Sequence, residues 1–262
     1  MVRPKNRLPE TYLVTDEITP VDPKEIDALE AKLGSLPLGY REYLTRFGAV
    51  GRYNDNLYVN HPQHVQSLQS KGYDWDLLAE GDEGSELTED DFPSLLLFGG
   101  SEHGDRVIYC PRFAGALFVR YRNTRDEKLK FEGGLLDPLQ LLIPDQTDKA
   151  FRFFESGNEY GKPPRRGSGW GTYQTPWSVK KVAAYIIDYW GKAEVVKATM
   201  PEAQYGGEYY YIFVKRVGGR IGVSNDDADE ESRAIRWSYD LKWKDEMDRF
   251  EAELAEAVPE LY

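Results

Sequence analysis

Cysteine is nearly absent from this chain, where Cys110 stands alone among 262 residues. A lone thiol excludes an internal disulfide framework, and its place in the apolar run Val107-Ile108-Tyr109-Cys110 reads as a buried structural thiol in a reducing compartment. Histidine is almost as scarce, with three in all. His61 and His64 are three positions apart, but Pro62 puts the first of them in a turn and no cysteine or third histidine lies nearby, so no metal site is expected. Long apolar runs are missing as well: none approaches the roughly 18 residues of a membrane span, and no apolar stretch of signal-peptide length follows the basic segment Met1 to Arg7. A cytoplasmic protein without a membrane partner is the expectation. Positive charge is also in deficit, with 33 Lys and Arg against 45 Asp and Glu for a net charge of −12. The deficit is spread along the chain, 21 basic against 28 acidic groups up to residue 170 and 12 against 17 beyond it. Nucleic-acid binding draws on a basic face that displaces counterions, so a basic protein partner fits this balance better. Gly99-Gly100 and Gly104 lack the Lys-Ser/Thr of a phosphate loop and the dinucleotide-binding spacing, and no cofactor is expected.

Aromatic residues, in contrast, are abundant: 18 Tyr, 11 Phe and 6 Trp are spread over the whole length and 40 % of the chain is apolar, so a folded chain with a sizeable core is expected. The length suits one large domain or two modest ones. A first helix opens at Asp22-Pro23, carries Ile26, Leu29 and Leu33 on one face and stops at Gly34; a second follows Leu36-Pro37 with Tyr40, Tyr43, Leu44 and Phe47 before Gly48. Leu57 to Asn60 reads as a strand, His61-Pro62 as a turn into a helix through Leu68, and Leu95 to Phe98, Val107 to Cys110 and Ala116 to Tyr121 as strands. The leucines at 135, 136, 139 and 142 predict a buried helix within Phe131 to Ile143, with a further turn at Ala150 to Phe154. Between Gly157 and Gly171 five glycines, Pro163-Pro164 and Arg165-Arg166 predict irregular chain. The resulting division is a first domain over 1–160, a linker at 161–171 and a small accessory domain over 172–262.

That second domain is expected to be α-β-β-β-α. Its first helix follows Pro176 with Val179, Val182, Ala183, Ile186 and Trp190 as an apolar stripe. Strands at Val195 to Thr199, Glu208 to Val217 and Arg220 to Ser224 come next, with a two-residue hairpin turn at Gly218-Gly219. A closing helix carries Trp243, Met247, Phe250 and Leu254. Tyr209-Tyr210-Tyr211 reads as sheet packing; use as a base-stacking platform is the alternative, disfavoured by the acidity. Helices before and after small sheets make the whole chain α+β.

The run Ile26-x-x-Leu29-Glu30-x-x-Leu33-Gly34-x-Leu36-Pro37-x-x-Tyr40-Arg41-Glu42-Tyr43-Leu44 resembles the opening of the SUKH superfamily, which includes fungal SMI/KNR-type cell-wall assembly regulators and many bacterial immunity proteins. Phe47-Gly48, Phe98-Gly99, Gly104-Asp105 and Tyr109 resemble later points of the same pattern, so the resemblance spans about residues 20–155. Gly39, Ala49-Val50-Gly51 and Cys110-Pro111 depart from it. The resemblance implies SUKH-like helices around a small mixed or antiparallel sheet. It further implies a non-enzymatic immunity protein that neutralises a cognate toxin, of nuclease or deaminase type, by covering it; a regulatory scaffold without a toxin is the alternative.

Two segments stand out as places for chemistry. From Asp74 to Asp91 there are nine carboxylates without one Lys or Arg. Trp75, Asp82, Glu83, Glu86, Glu89, Asp90 and Asp91 from this stretch, with Glu102 and Asp105, are the expected partner-binding residues, since clustered anionic charge speeds encounter with a basic partner. A merely solvated loop is the other reading. Glu102-His103-Gly104-Asp105 also gathers two carboxylates and an imidazole in one loop, so a hydrolase using Glu102, His103 and Asp105 is a third function to weigh, against a turn held by the short Asp105 side chain. The oligomeric state is not legible.

Overall fold

The computed structural model describes residues 8–15, 17–54, 56–73, 86–122, 128–136, 138–141, 152–157, 164–175, 177–191, 195–199, 209–226 and 229–258. The chain divides into two compact units: residues 1–12 with 18–156, and residues 13–17 with 157–262.

In the first unit, β1 (Tyr12–Leu13) leads to α1 (Pro23–Leu33) and α2 (Tyr40–Phe47), and the two helices follow from local chemistry. The Asp22 side chain accepts the Lys24 N–H at 2.9 Å, Pro23 occupies the first turn, and Gly34 ends α1 in a left-handed conformation at φ 79°. Glycine is required at Gly48, which closes α2 at φ 77°, because a Cβ there would run into the Thr19 carbonyl. The sheet beside the helices comprises β2 (Gly51–Tyr53), β3 (Leu57–Val59), β4 (Gln66–Ser67), β5 (Leu96–Ser101), β6 (Arg106–Tyr109), β7 (Leu117–Arg120), β8 (Lys128–Phe131) and β9 (Phe153–Ser156), together with β1. Its order is β1-β9-β2-β3-β5-β6-β7-β8, with β4 paired to β5, and every register resolved between strands is antiparallel. The small sheet expected from sequence is therefore an extensive one, with nine strands among the described residues.

Alternation along β6 supplies both faces of this sheet. On one face Tyr109 meets Phe98 (centroids 5.3 Å apart), which meets Tyr40 of α2 (4.8 Å); the cluster continues through Tyr43, Phe47 and Phe154, all buried. On the other face Ile108, Cys110 and Phe118 pack with Leu68, Leu87 and Leu95. The second cluster is covered by the chain running from Glu86 into the 3₁₀ turn Glu89–Ser94.

Residues 131–136 and 138–141 do not form the predicted buried helix, and the rest of its span lies outside the described residues. Lys128–Phe131 is strand β8, Gly134 turns at φ 53° against the Leu38 and Gly115 backbone, and Pro138–Leu141 is one 3₁₀ turn. The leucines keep helical spacing, but Gly133-Gly134 turn the chain just ahead of them and Pro138 interrupts it after Leu136, while Leu142 lies outside the described residues. Phe153 and Phe154, expected in a last helical turn, lie in β9.

The second unit is built on a five-stranded antiparallel sheet of order β10-β14-β13-β12-β11, formed by β10 (Arg166–Gln174), β11 (Val195–Thr199), β12 (Tyr209–Val214), β13 (Gly219–Asp226) and β14 (Asp229–Asp240). Helices α3 (Val179–Trp190) and α4 (Lys244–Ala257) cover one face, burying Val182, Ile186, Phe250 and Leu254 against Ile212, Ile221, Ile235 and Trp237. The expected α-β-β-β-α order thus gains two strands, β10 ahead of α3 and β14 ahead of α4, which lie side by side at one end of the sheet's path. The linker at 161–171 is corrected accordingly, since residues 166–171 belong to β10. Gly167 and Gly169 read as irregular chain, yet each makes room for an aromatic ring of β14. A Cβ at Gly167 would lie 2.5 Å from the Tyr239 ring, and one at Gly169 2.5 Å from the Trp237 indole. The β12–β13 connection is a 3₁₀ turn, Lys215–Val217, closed by Gly218, and not the two-residue hairpin predicted.

Candidate functional site

Of the nine residues expected to meet a partner, Trp75, Asp82 and Glu83 lie outside the described residues. The other six do not form one anionic surface. Glu86 is exposed and bonds Lys130 Nζ at 2.9 Å, while Lys130 also reaches Glu132 at 2.8 Å. Asp91 is buried, and its Oδ2 accepts from the Thr88 N–H (2.9 Å), the Thr88 hydroxyl (3.0 Å) and Arg112 Nη2 (2.6 Å). Burial pushes the Asp91 carboxyl up, but the bonds from Thr88 and Arg112 outweigh it and hold the group below the ordinary carboxylate value. Asp91 is therefore an internal tie, and its assignment to a partner surface is corrected on that ground.

The same tie fixes what remains outside. With Leu87 and Leu95 buried on either side, Thr88 and Asp91 close a capping box around the short turn, which leaves Glu89 and Asp90 exposed at its start. Neither has an ion pair among the described residues. Arg112 and Lys130 flank the Phe113 ring at 4.3 and 4.7 Å from its centroid, so the cations that neutralise Asp91 and Glu86 are seated on an aromatic face. The sequence reading missed both cations. Arg112 is 21 residues and Lys130 44 residues from its carboxylate, and no local spacing announces either pairing.

The Glu102 to Asp105 loop is the tip between β5 and β6. Asp105 is bound within it: the Ser101 hydroxyl donates to Oδ2 at 2.5 Å, the Arg122 N–H donates to Oδ1 at 2.8 Å, and the Asp105 N–H returns to the Ser101 hydroxyl at 3.1 Å. Glu102 turns instead to Arg52, and its N–H donates to the Asn56 side chain at 3.0 Å. His103 is exposed on the turn. Each carboxylate thus faces a different partner, and the arrangement is that of a hairpin tip held by its own side chains. Among the described residues no group of three or more His, Cys, Asp or Glu is placed to hold a metal ion; His61 instead accepts the Gln63 N–H and lies 3.7 Å from Glu25. No helix among the described residues is long and apolar enough to cross a membrane.

Compared with known proteins, the chain matches no family model, no curated protein and no solved structure.

Proposed function

We propose that this chain is a SUKH-like binding protein that neutralises a basic protein toxin, of nuclease or deaminase type, by covering it. The observation that carries the reading is the exposed pair Glu89 and Asp90, free of ion pairs among the described residues while neighbouring carboxylates are neutralised from within. An acidic chain with uncompensated carboxylates on an anchored turn attracts a positively charged surface and accelerates its approach. What supports a SUKH-like frame is that the residues carrying the family pattern, Leu29, Tyr40, Tyr43, Leu44, Phe47 and Phe98, are all buried in the first unit. Binding in place of catalysis is favoured by the Glu102 to Asp105 loop, where the carboxylates are occupied by Ser101, Arg122 and Arg52.

The test is co-purification with the product of the adjacent gene, followed by association kinetics at low salt. Glu89→Lys with Asp90→Lys is expected to lower the on-rate about tenfold or more while the dissociation rate changes less. Retention of no basic partner, or an on-rate indifferent to both the double variant and salt, overturns the reading.

A further inference from the structure

We propose that β10 is a self-association edge, through which two copies of the chain pair antiparallel about Trp170 and join their five-stranded sheets into one.

The edge is open. Among the described residues β14 is the only strand that pairs with β10. In an antiparallel ladder, residues that exchange both backbone bonds with the neighbour alternate with residues whose N–H and C=O point the other way. The Leu241 N–H donates to the Arg165 carbonyl at 2.8 Å, which assigns the odd-numbered positions to the β14 side and turns the backbone groups of Ser168 and Trp170 to the free edge.

The edge is also undefended. Sheet proteins blunt exposed edges with short strands, bulges, proline or charge, and an edge without these devices is a template for another strand. β10 is nine residues long, pairs with β14 without a register shift, and carries no proline and no charged residue from Gly167 to Gln174. Arg166, the charge inside the strand, is buried and bonded to Asp240 at 2.6 Å in its own copy. At the midpoint of the strand stands Trp170, which is 74 % exposed, far beyond any other large apolar side chain described.

These features select a second copy as the occupant. A two-fold axis through Trp170 matches the full length of the strand to itself and sets the two indoles on the same face, side by side. The net charge of −12 opposes association in general, but the seam itself carries no negative group. Gly167 and Gly169 remain filled from behind by Tyr239 and Trp237, so the strand keeps its shape without the partner.

Sedimentation velocity on the full chain tests this. The expected result is a reversible dimer with a Kd on the order of micromolar, suited to a small seam. Trp170→Lys and Ser168→Pro should each raise that Kd about tenfold or more with little change in melting temperature, since neither alters a bond the chain makes with itself. Trp170→Cys should give a disulfide-linked dimer on oxidation, while the exposed Glu253→Cys should not, because Cys110 is buried and only the two-fold brings residue 170 within bridging distance. A chain that stays monomeric up to about 100 μM overturns the proposal, given the affinity such a seam should have. So does a dimer that both edge variants leave intact, or one that salt weakens steeply, since screening of the like net charges should only tighten an uncharged seam.

Discussion

Arg112 and Asp91, 21 residues apart in sequence, meet at 2.6 Å between Nη2 and Oδ2, and the Asp91 carboxylate, which also accepts from Thr88, lies at the base of the turn that exposes Glu89 and Asp90. Removing the carboxylate would take the acceptor from the Thr88 N–H and hydroxyl and leave the Arg112 guanidinium with the Glu86 carbonyl at 2.7 Å. Asp91→Ala should therefore destabilise the first unit by about 2–3 kcal/mol, measured by chemical denaturation.

The same group makes a pH-dependent contribution whose sign is fixed by its environment. Its folded value is held below the ordinary 3.8. The contribution is thus whole at neutral pH and is lost as pH falls below 3.8 toward the lowered folded value. The stability gap between the wild-type chain and Asp91→Ala should narrow between denaturation curves taken at pH 7 and at about pH 3.

In the second unit, Arg166 and Asp240 form a buried pair at 2.6 Å, with Arg166 also donating to the Gly218 carbonyl. Asp240→Ala removes the carboxylate that faces a buried guanidinium and should cost about 3–5 kcal/mol. The double variant Asp240→Ala with Arg166→Met should be distinctly more stable than Asp240→Ala alone, because it removes the buried charge as well. Thermal melts of the three proteins measure this.

Gly34 and Gly48 both have positive φ, 79° and 77°, but differ in ψ, −25° against −174°, and in surroundings. Nothing lies within 4 Å of a Cβ at Gly34, whereas the Thr19 carbonyl blocks one at Gly48. Gly34→Ala should cost about 1 kcal/mol from conformation alone, and Gly48→Ala clearly more than that, because the chain must also move.

Cys110 is fully buried in the cluster with Leu68, Leu95 and Phe118. Its thiol should resist maleimide in the folded protein, and labelling should appear only with the unfolding of the first unit.

The helices were legible because each carries its own stop and its own stripe: Asp22-Pro23 and Gly34 bound α1, and Val182, Ile186 and Trp190 mark α3. The strand Asp229–Asp240 is not legible in the sequence. Its inward residues Ile235, Trp237 and Tyr239 do alternate, but the charged run Asp229 to Arg233 before them hides the period. Strand β10 reads as linker because its glycines are explained only by rings 68 and 72 residues further on, Trp237 for Gly169 and Tyr239 for Gly167. At the candidate site, the acidic stretch was visible, but which of its carboxylates stay available depends on Arg112 and Lys130, which the fold brings in from two other places.

The seating of Trp237 and Tyr239 over Gly167 and Gly169 bears on how the chain can be cut. A fragment starting at residue 172 would look like a tidy accessory domain yet uncover two large rings and expose the flank of β14. One starting before Arg165 keeps its hydrophobic floor closed. For dissection, mutational grafting or fusion, the glycines are the wall of the second unit and not the gap in front of it.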